Sequence, residues 1–312
     1  MIPVPQKLSM KKFFTLLAIA AMMVSCSTEK LNEIKLNLSE GENYAQNMST
    51  SMEMIQNFQG QKMNIDVNVN ANFNNKVIKV ENGEYTLESN FELMEMDMKN
   101  PMMNMSFSSE KIDSTNEMTS TISKVLKGMK EGKFTMVITE FGEIKSVEGL
   151  EEMMTKAIEA IPGVTPQVMS QINQQLTKSF GEEAMINNLT PSMNIYKTGI
   201  VKVGDTWTEE NKMESTIPLN VNTTYTVKEI KSDAFIIEGV SELTLANSML
   251  NSGQKMDLNG DMTSSYEIDR VSGWANRVEI NQDLVLTTTV VQGEEVQEIP
   301  MTIKSKTLIT NN

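Results

Sequence analysis

Residues 63–73 read MNIDVNVNANF, and their side chains alternate in character without a break. The odd-numbered residues, from Met63 to Phe73, are apolar, whereas every even-numbered residue is asparagine or aspartate. Because successive side chains of a β-strand point to opposite faces, the stretch predicts a strand with one buried face and one hydrated face. Such alternation is typical of antiparallel sheets, so we expect a fold rich in antiparallel strands.

Further strands and turns extend this pattern along the chain. Asn82-Gly83 is a strong hairpin signal, and residues 84–93 form the returning strand. Asn259-Gly260 and residues 292–295 are read as hairpin turns in the second half of the chain. Alternating composition predicts the strands of that half at 215–227, 234–246, 261–270, 274–290 and 299–309.

The middle of the chain has helical periodicity instead. A helix is predicted within 112–131, where Ser114 and Glu117 have the spacing of a capping box. A second helical region is predicted at 149–190. Apolar residues three or four positions apart place one face of each helix inward: Met118, Ile122, Val125 and Met129, then Leu150, Met154, Ala157, Ile158 and Ile161, then Val168, Ile172 and Leu176.

An internal repeat organises the strands into two groups. Residues 77–93 align with residues 227–243 at a constant offset of 150 positions, without a gap. We interpret this as two copies of one meander. The expected fold class is α+β, with two related curved antiparallel β-halves and a helical middle segment. The expected segments are a signal peptide (1–25), a polar tether (26–35), a first β-half with a helix at 112–131 (36–148), a helical segment (149–190) and a second β-half (191–312).

The N-terminal residues predict export and lipid attachment. Lys11 and Lys12 precede an apolar run that is too short to span a membrane, which is typical of a secretory signal peptide starting at Met10. The segment MVSC, residues 23–26, resembles a bacterial lipobox. This resemblance implies cleavage before Cys26, a diacylglycerol on its sulfur, an acylated amine and, because Ser27 follows, anchoring in the outer membrane. An ordinary signal peptide followed by a free cysteine is the alternative.

Composition excludes several classes of activity. The chain contains no histidine and one cysteine, so catalysis by histidine, a His metal site and an internal disulfide are excluded. The net charge of −14 disfavours a nucleic-acid partner, whose phosphates are bound by Lys and Arg. We expect no cofactor and no enzymatic activity. The alternative is a hydrolase that uses two carboxylates, as glycosidases do.

Three short motifs carry a family resemblance: GENY (41–44), NGEY (82–85) and VKVGDTW (201–207). In this order, with the lipobox and the helical middle, they resemble an uncharacterised family of Bacteroidota lipoproteins, known as a domain of unknown function. The resemblance implies a β-rich fold in the cell envelope and no catalytic residues. The layout is also similar to that of envelope lipoprotein carriers, which bind acyl chains between a curved sheet and helices.

Candidate binding residues come from the apolar helix faces and from a methionine-rich stretch. The candidate lining of an apolar pocket is Met118, Ile122, Met129, Met154, Ile158 and Ile172. Residues 94–105 read MEMDMKNPMMNM, and their thioethers suit either a hydrophobic hairpin or a soft Cu(I) ion. The candidate ligands of such a Cu(I) site are Met96, Met98, Met103 and Met105. The two tryptophans, Trp207 and Trp274, are interpreted as structural plugs of the sheet, and a ligand contact is the alternative role for each.

We therefore expect a non-catalytic lipoprotein of the outer membrane. Its anchor is Cys26, and its partner is a lipid or another apolar ligand, or a second envelope protein. Whether the chain faces the periplasm or the cell exterior stays open. A purely structural envelope protein is a further alternative.

Overall fold

The computed structural model describes residues 32–58, 61–113, 116–161, 181–213, 219–246, 255–292 and 295–311, and also residues 163, 165, 167, 169, 170, 173, 174 and 177. The elements of regular structure lie within one compact unit, Glu33–Asn312. This unit is mostly antiparallel β, with 62% of the residues in strands, and the described part contains three helices. The predicted antiparallel β-rich fold is confirmed, whereas the helical share is smaller than an α+β class implies.

The elements follow one another in a long meander interrupted by helices. The strands are β1 Glu33–Ile34, β2 Asn43–Phe58, β3 Gln61–Glu81, β4 Glu84–Lys99, β5 Asn104–Ser108, β6 Phe134–Thr139, β7 Ile144–Glu148, β8 Lys197–Ile200, β9 Thr206–Met213, β10 Leu219–Ile230, β11 Ala234–Leu245, β12 Lys255–Asp269, β13 Ala275–Gln292 and β14 Glu295–Asn311. The helices are α1 Glu117–Lys130, α2 Leu150–Glu159 and α3 Glu182–Met193.

One large sheet contains nearly all of these strands. Its order is β7-β6-β4-β3-β2-β14-β13-β12-β11-β10-β9, and β5 adds a short extra strand to β4. Strands β2 and β14 pair at its centre, from Met301 opposite Gln56 to Asn311 opposite Gln46. The first and last long strands are therefore neighbours. A separate two-stranded sheet joins β1 to β8.

The two faces of the sheet have the compositions that residues 63–73 predict. In β3, Val67 and Ala71 are buried, while Asp66 and Asn68 on the opposite face are exposed. The outer face carries ion pairs such as Lys304 with Asp283 at 2.9 Å. We call the opposite, apolar face the inner face.

The sheet curls around its inner face. Helix α3 packs against both edge strands, β7 and β9, although nine other strands of the sheet order lie between them. A single helix can touch both edges only if the sheet bends round toward it. The main hydrophobic core lies inside this curve. It combines α1 and α2 with buried side chains near both edges, such as Val147 of β7 and Tyr225 of β10.

A segment before β2 closes one end of the curved sheet. Ile34, Leu36 and Leu38 are buried there. The amide of Leu36 donates to the carbonyl of Glu140 at 2.8 Å, and the next amide donates to Ser272 at 2.7 Å. The segment thus ties β6–β7 to β12–β13. This corrects the prediction of a polar tether to residue 35, because the alternating apolar residues from Ile34 onward enter the core.

The predicted hairpin turns have different outcomes. Asn82 and Gly83 both have positive φ, 53° and 79°, and join β3 to β4 as predicted. The prediction of a turn at Asn259-Gly260 is wrong, because both residues lie within β12 and pair with β13. A Cβ at Gly260 would lie 2.4 Å from the carbonyl oxygen of Asp283. This glycine therefore permits a close approach of two strands instead of a turn.

The first helix differs in detail from its prediction. Its N-cap is Asn116, whose Oδ1 accepts from the amides of Met118 at 3.0 Å and Thr119 at 3.3 Å. Met118 and Ile122, predicted to face the core, are 53% and 37% exposed. Small polar residues replace them at the interface, since Ser123 is fully buried and its Oγ accepts from the Ser108 amide. Ser114 lies outside the described residues.

The second helix agrees with its prediction. Its predicted inward residues are buried, with exposures between 0% and 7%: Leu150, Met154, Ala157, Ile158 and Ile161. Val168, Ile172 and Leu176, which were predicted to face the core from the following helical turns, lie outside the described residues.

The pairing registers of two hairpins repeat at the offset found in the sequence. Val77 lies opposite Leu87 in β3–β4, and Val227 lies opposite Ile237 in β10–β11. Each hairpin has a register shift directly after that valine. Each valine also accepts from a preceding glycine amide at 2.8 Å, Gly41 in the first case and Gly204 in the second.

Candidate ligand-binding cavity

A cavity of about 160 Å³ lies between α3 and the inner face of the sheet. Helix α3 contributes Met185, Leu189 and Met193, which are four residues apart and therefore share one face. The strands and adjoining segments contribute the remaining apolar side chains: Met48, Phe73, Phe134, Met136, Ile144, Ile195, Tyr196, Trp274, Ala275, Val278 and Ile309. A cavity of this size and composition can hold a small apolar group.

The polar side chains of the lining are uncharged. They are Gln46, Asn75 and Ser192, together with the phenol of Tyr196. Asn75 donates to the Tyr44 carbonyl and accepts from Ser89, so its amide is engaged within the protein. Among the described residues that line the cavity, none is Asp, Glu, Lys or Arg. An ionised ligand group would therefore enter this cavity without a counter-charge, which is unfavourable.

Tyr196 has a defined protonation state. Its hydroxyl donates to the Gly273 carbonyl at 3.0 Å, and burial raises the pKa of the phenol well above its ordinary value. The phenol is therefore neutral at physiological pH, and its proton is already used within the protein.

Trp274 has an unused hydrogen-bond donor. Its side chain lines the cavity and the residue is 5% exposed. Its indole Nε1 is buried without a hydrogen-bond partner among the described residues. Leaving a buried N–H without an acceptor costs about 1–3 kcal/mol. The interpretation of Trp274 as a plug is therefore incomplete, because this cavity-lining residue also has an unsatisfied buried donor.

Beyond the cavity, the inner face continues as a surface of methionines, which we call the methionine patch. It comprises the inner-face methionines of β2–β5, all of them half-buried: Met48, Met52, Met54, Met63, Met94, Met96, Met98 and Met105. Met48 belongs both to this patch and to the cavity lining. The cavity and the patch therefore form one continuous apolar surface.

A β-bulge in β4 aligns the patch with the core. Phe91 pairs with Phe73, but the next pair is Leu93 with Asn72, which leaves Glu92 unpaired. The extra residue reverses the alternation, so Met94 and Phe91 share the inner face.

Most of the predicted pocket residues lie elsewhere. Met129, Met154 and Ile158 are buried in the core, and Met118 and Ile122 are exposed on α1. None of these five is among the residues that line the cavity, and Ile172 lies outside the described residues. Cys26 also lies outside them.

The methionines proposed for copper are brought together in part. Met98 lies opposite Met105, and Met96 opposite Phe107, so three of the four thioethers share the inner face of one hairpin. Met103 lies in the turn and is 45% exposed. Among the described residues, no group of three or more His, Cys, Asp or Glu could hold a metal ion.

These features define a class of protein: an antiparallel β-sheet curled around helices, with an apolar cavity beneath one of them. The chain belongs to the Family of unknown function (DUF6263), whose profile matches residues 82–275. This match extends from the end of β3 to the start of β13. None of the helices in the described part of the chain has the length and hydropathy needed to cross a bilayer.

Comparisons with other proteins give limited likenesses. No curated protein sequence matches the chain significantly. A structure described as lipid–protein interactions in lipovitellin matches with a TM-score of 0.48 and 10% identity, over 88% of this chain and 25% of that one. The translocator domain of the autotransporter NalP from Neisseria meningitidis matches with a TM-score of 0.22 and 8% identity, over 96% and 97% of the two chains. OpdQ of Pseudomonas aeruginosa matches with a TM-score of 0.24 and 7% identity, over 86% and 99%.

The chain thus spans about a quarter of the length of the lipovitellin chain. At these TM-scores and identities, none of the three structures supports a functional conclusion for this chain.

Proposed function

We propose that this chain is a non-catalytic binding protein for an apolar ligand, anchored in the outer membrane through a lipid on Cys26. The observation that carries the proposal is the continuity between the cavity under α3 and the methionine patch. A ligand with a flexible hydrocarbon chain would place one end in the cavity and lay the remainder against the methionines.

The composition of the surface suits such a ligand. Methionine side chains are unbranched and polarisable, so they adapt to chains of irregular shape. The eight residues of the patch are only half-buried, and contiguous apolar surface that stays accessible commonly marks a binding site. Each Å² of apolar surface that a ligand covers contributes about 25 cal/mol.

We also propose that the fold arose by duplication of one β-meander. The shared register of Val77–Leu87 and Val227–Ile237, with a shift after each valine, supports two copies of one meander. The matching hydrogen bonds from Gly41 and Gly204 support it further. Two such halves joined along β2 and β14 would produce a sheet wide enough to curl around a ligand.

The alternative functions require different features of the inner face. A hydrolase of the glycosidase type needs two carboxylates in its cleft, and the described lining of this cavity offers neither. A purely structural envelope protein needs no cavity, and a partner protein would have to reach the inner face of the sheet. An apolar small ligand uses both the cavity and the patch, so it is the function that the geometry favours.

The test uses the full chain carrying Cys26→Ser, purified without detergent. Native mass spectrometry is expected to detect an apolar molecule bound to the protein, and solvent extraction should release it. Leu189→Gln places an amide in the cavity lining and should reduce the bound fraction. Glu183→Gln introduces the same residue at an exposed position of α3 and should not. A bare protein that also fails to bind added alkanes would contradict the proposal.

A further inference from the structure

The cavity lining has one feature that selects among apolar ligands. Trp274 is 5% exposed, lines the cavity, and has an Nε1–H with no acceptor among the described residues. An indole N–H donates and cannot accept. A ligand that satisfies it must therefore carry an acceptor, such as the oxygen of a carbonyl group.

The charge of that acceptor follows from the rest of the lining. Among the described residues of the lining there is no cation to pair with an ionised carboxylate. The other polar groups, Gln46, Asn75 and Ser192, are neutral. Transfer of an unpaired carboxylate into such a site is strongly unfavourable, whereas transfer of an ester carbonyl that gains a hydrogen bond is not.

We propose, on the basis of the proposed binding function, that the ligand is a neutral acyl ester whose carbonyl oxygen accepts the Trp274 Nε1 proton. The acyl chain lies in the cavity and along the methionine patch. Free fatty acid anions and plain hydrocarbons are then the weaker ligands, the former because of their charge and the latter because they leave the indole N–H unsatisfied.

Three probes of similar size separate these cases: methyl decanoate, decanoate and undecane. The chain whose only substitution is Cys26→Ser should bind methyl decanoate about three- to tenfold more tightly than undecane. This is the factor expected of one buried hydrogen bond. Decanoate should bind more weakly than the ester at neutral pH. Trp274→Phe keeps an aromatic ring but removes the donor, so the preference for the ester over undecane should disappear.

Trp207 provides a matched control. Its Nε1 is also buried without a described partner, yet Trp207 is not among the residues that line the cavity. Trp207→Phe should therefore leave the ester preference unchanged. Because the chain has two tryptophans, this variant also leaves Trp274 as the sole source of an indole N–H signal in ¹H–¹⁵N spectra. Methyl decanoate should shift that signal, and undecane should shift it less.

The outcomes distinguish this inference from the function on which it rests. If undecane and methyl decanoate bind equally, or if Trp274→Phe retains the ester preference, the ester inference is overturned while apolar binding stands. If none of the three probes binds the folded protein, the proposed function is overturned and the inference with it. The spectral shift in the protein that retains Trp274 keeps the test valid even if Trp274→Phe does not fold.

Discussion

The rings of Trp274 and Tyr44 pack with their centroids 5.1 Å apart and their planes at 39°. Tyr44 belongs to β2 and Trp274 precedes β13, and these two strands flank β14 in the sheet. The indole ring is thus positioned by protein contacts before any ligand arrives. A donor held in place in this way loses little entropy when a ligand accepts its proton, which favours binding.

The methionine patch is expected to act through its apolar character. Simultaneous Met96→Leu, Met98→Leu and Met105→Leu substitutions keep the volume nearly constant, and such swaps are usually well tolerated. Undecane binding should therefore remain close to that of the parent protein in a calorimetric titration. Met102→Leu, at a residue that is 84% exposed in the turn, is the control.

The same variant tests the copper alternative. If the thioethers form a Cu(I) site, the triple substitution should abolish Cu(I) binding measured against a competing chelator. The apolar account predicts that the parent protein binds Cu(I) no better than a methionine-poor control protein.

The closed end of the sheet depends on a glycine. A Cβ at Gly273 would lie 1.9 Å from the carbonyl oxygen of Lys35, and φ at this residue is 70°. At Gly204 φ is 90°, but a Cβ would meet no atom within 4 Å. Gly204→Ala should therefore cost only backbone strain, about 1 kcal/mol. Gly273→Ala should cost about 1–3 kcal/mol more, because the segment at Lys35 must move.

Urea denaturation of both glycine variants checks this difference. Equal free energies of unfolding for the two variants would contradict the close packing of Gly273 against the segment 33–38, which closes one end of the sheet.

Stability should fall in alkali because of buried phenols. Burial raises the pKa of Tyr196 and Tyr225 in the folded protein above the ordinary value of 10.0. A group with a raised folded pKa stabilises fully below its unfolded pKa, and this contribution is lost as pH rises above it. Unfolding free energy should therefore decline above about pH 10.

Tyr196→Phe separates this titration from the loss of a hydrogen bond. The variant should be less stable at neutral pH, since the bond to the Gly273 carbonyl is gone. Its decline above about pH 10 should nevertheless be shallower than that of the parent. Parallel pH profiles of the two proteins would argue against the phenol as a source of the decline.

The anchor at Cys26 is testable by labelling. Cells that express the full chain should incorporate radiolabelled palmitate into it, and the protein should fractionate with the outer membrane. Cys26→Ser should abolish incorporation, because Cys26 is the proposed site of lipid attachment. Incorporation into the serine variant would place the lipid elsewhere. Protease treatment of intact cells would show whether the anchored chain faces outward.

The parts of the fold that could be predicted are those with a local physical cause. The alternation of residues 63–73 predicts a two-faced strand, and Asn82-Gly83 predicts a turn with positive φ. The apolar face of α2 follows from the spacing of Leu150, Met154 and Ile158. In each case the deciding interaction is between residues that are close in sequence.

The features that could not be predicted are those fixed by contacts between residues far apart in the sequence. Asn259-Gly260 has the local signature of a turn, but pairing with β13 extends the strand through it. Ser123 is buried because Ser108 supplies a hydrogen bond from β5, which helical periodicity alone does not reveal. The cavity combines α3 with strands from both ends of the chain, so no single stretch of sequence identifies its lining.

Occupation of the cavity by an apolar ligand is tested most directly by fluorescence quenching of Trp274. In a chain carrying Cys26→Ser and Trp207→Phe, Trp274 is the only tryptophan. We expect 1-bromodecane to quench its emission in a saturable manner, with a stoichiometry of about one ligand per chain, because the bromine enters the cavity that this ring lines. In the matching Trp274→Phe chain, the emission of Trp207 should change little. Quenching that does not saturate, or that is equal for the two tryptophans, would contradict a ligand site beneath α3.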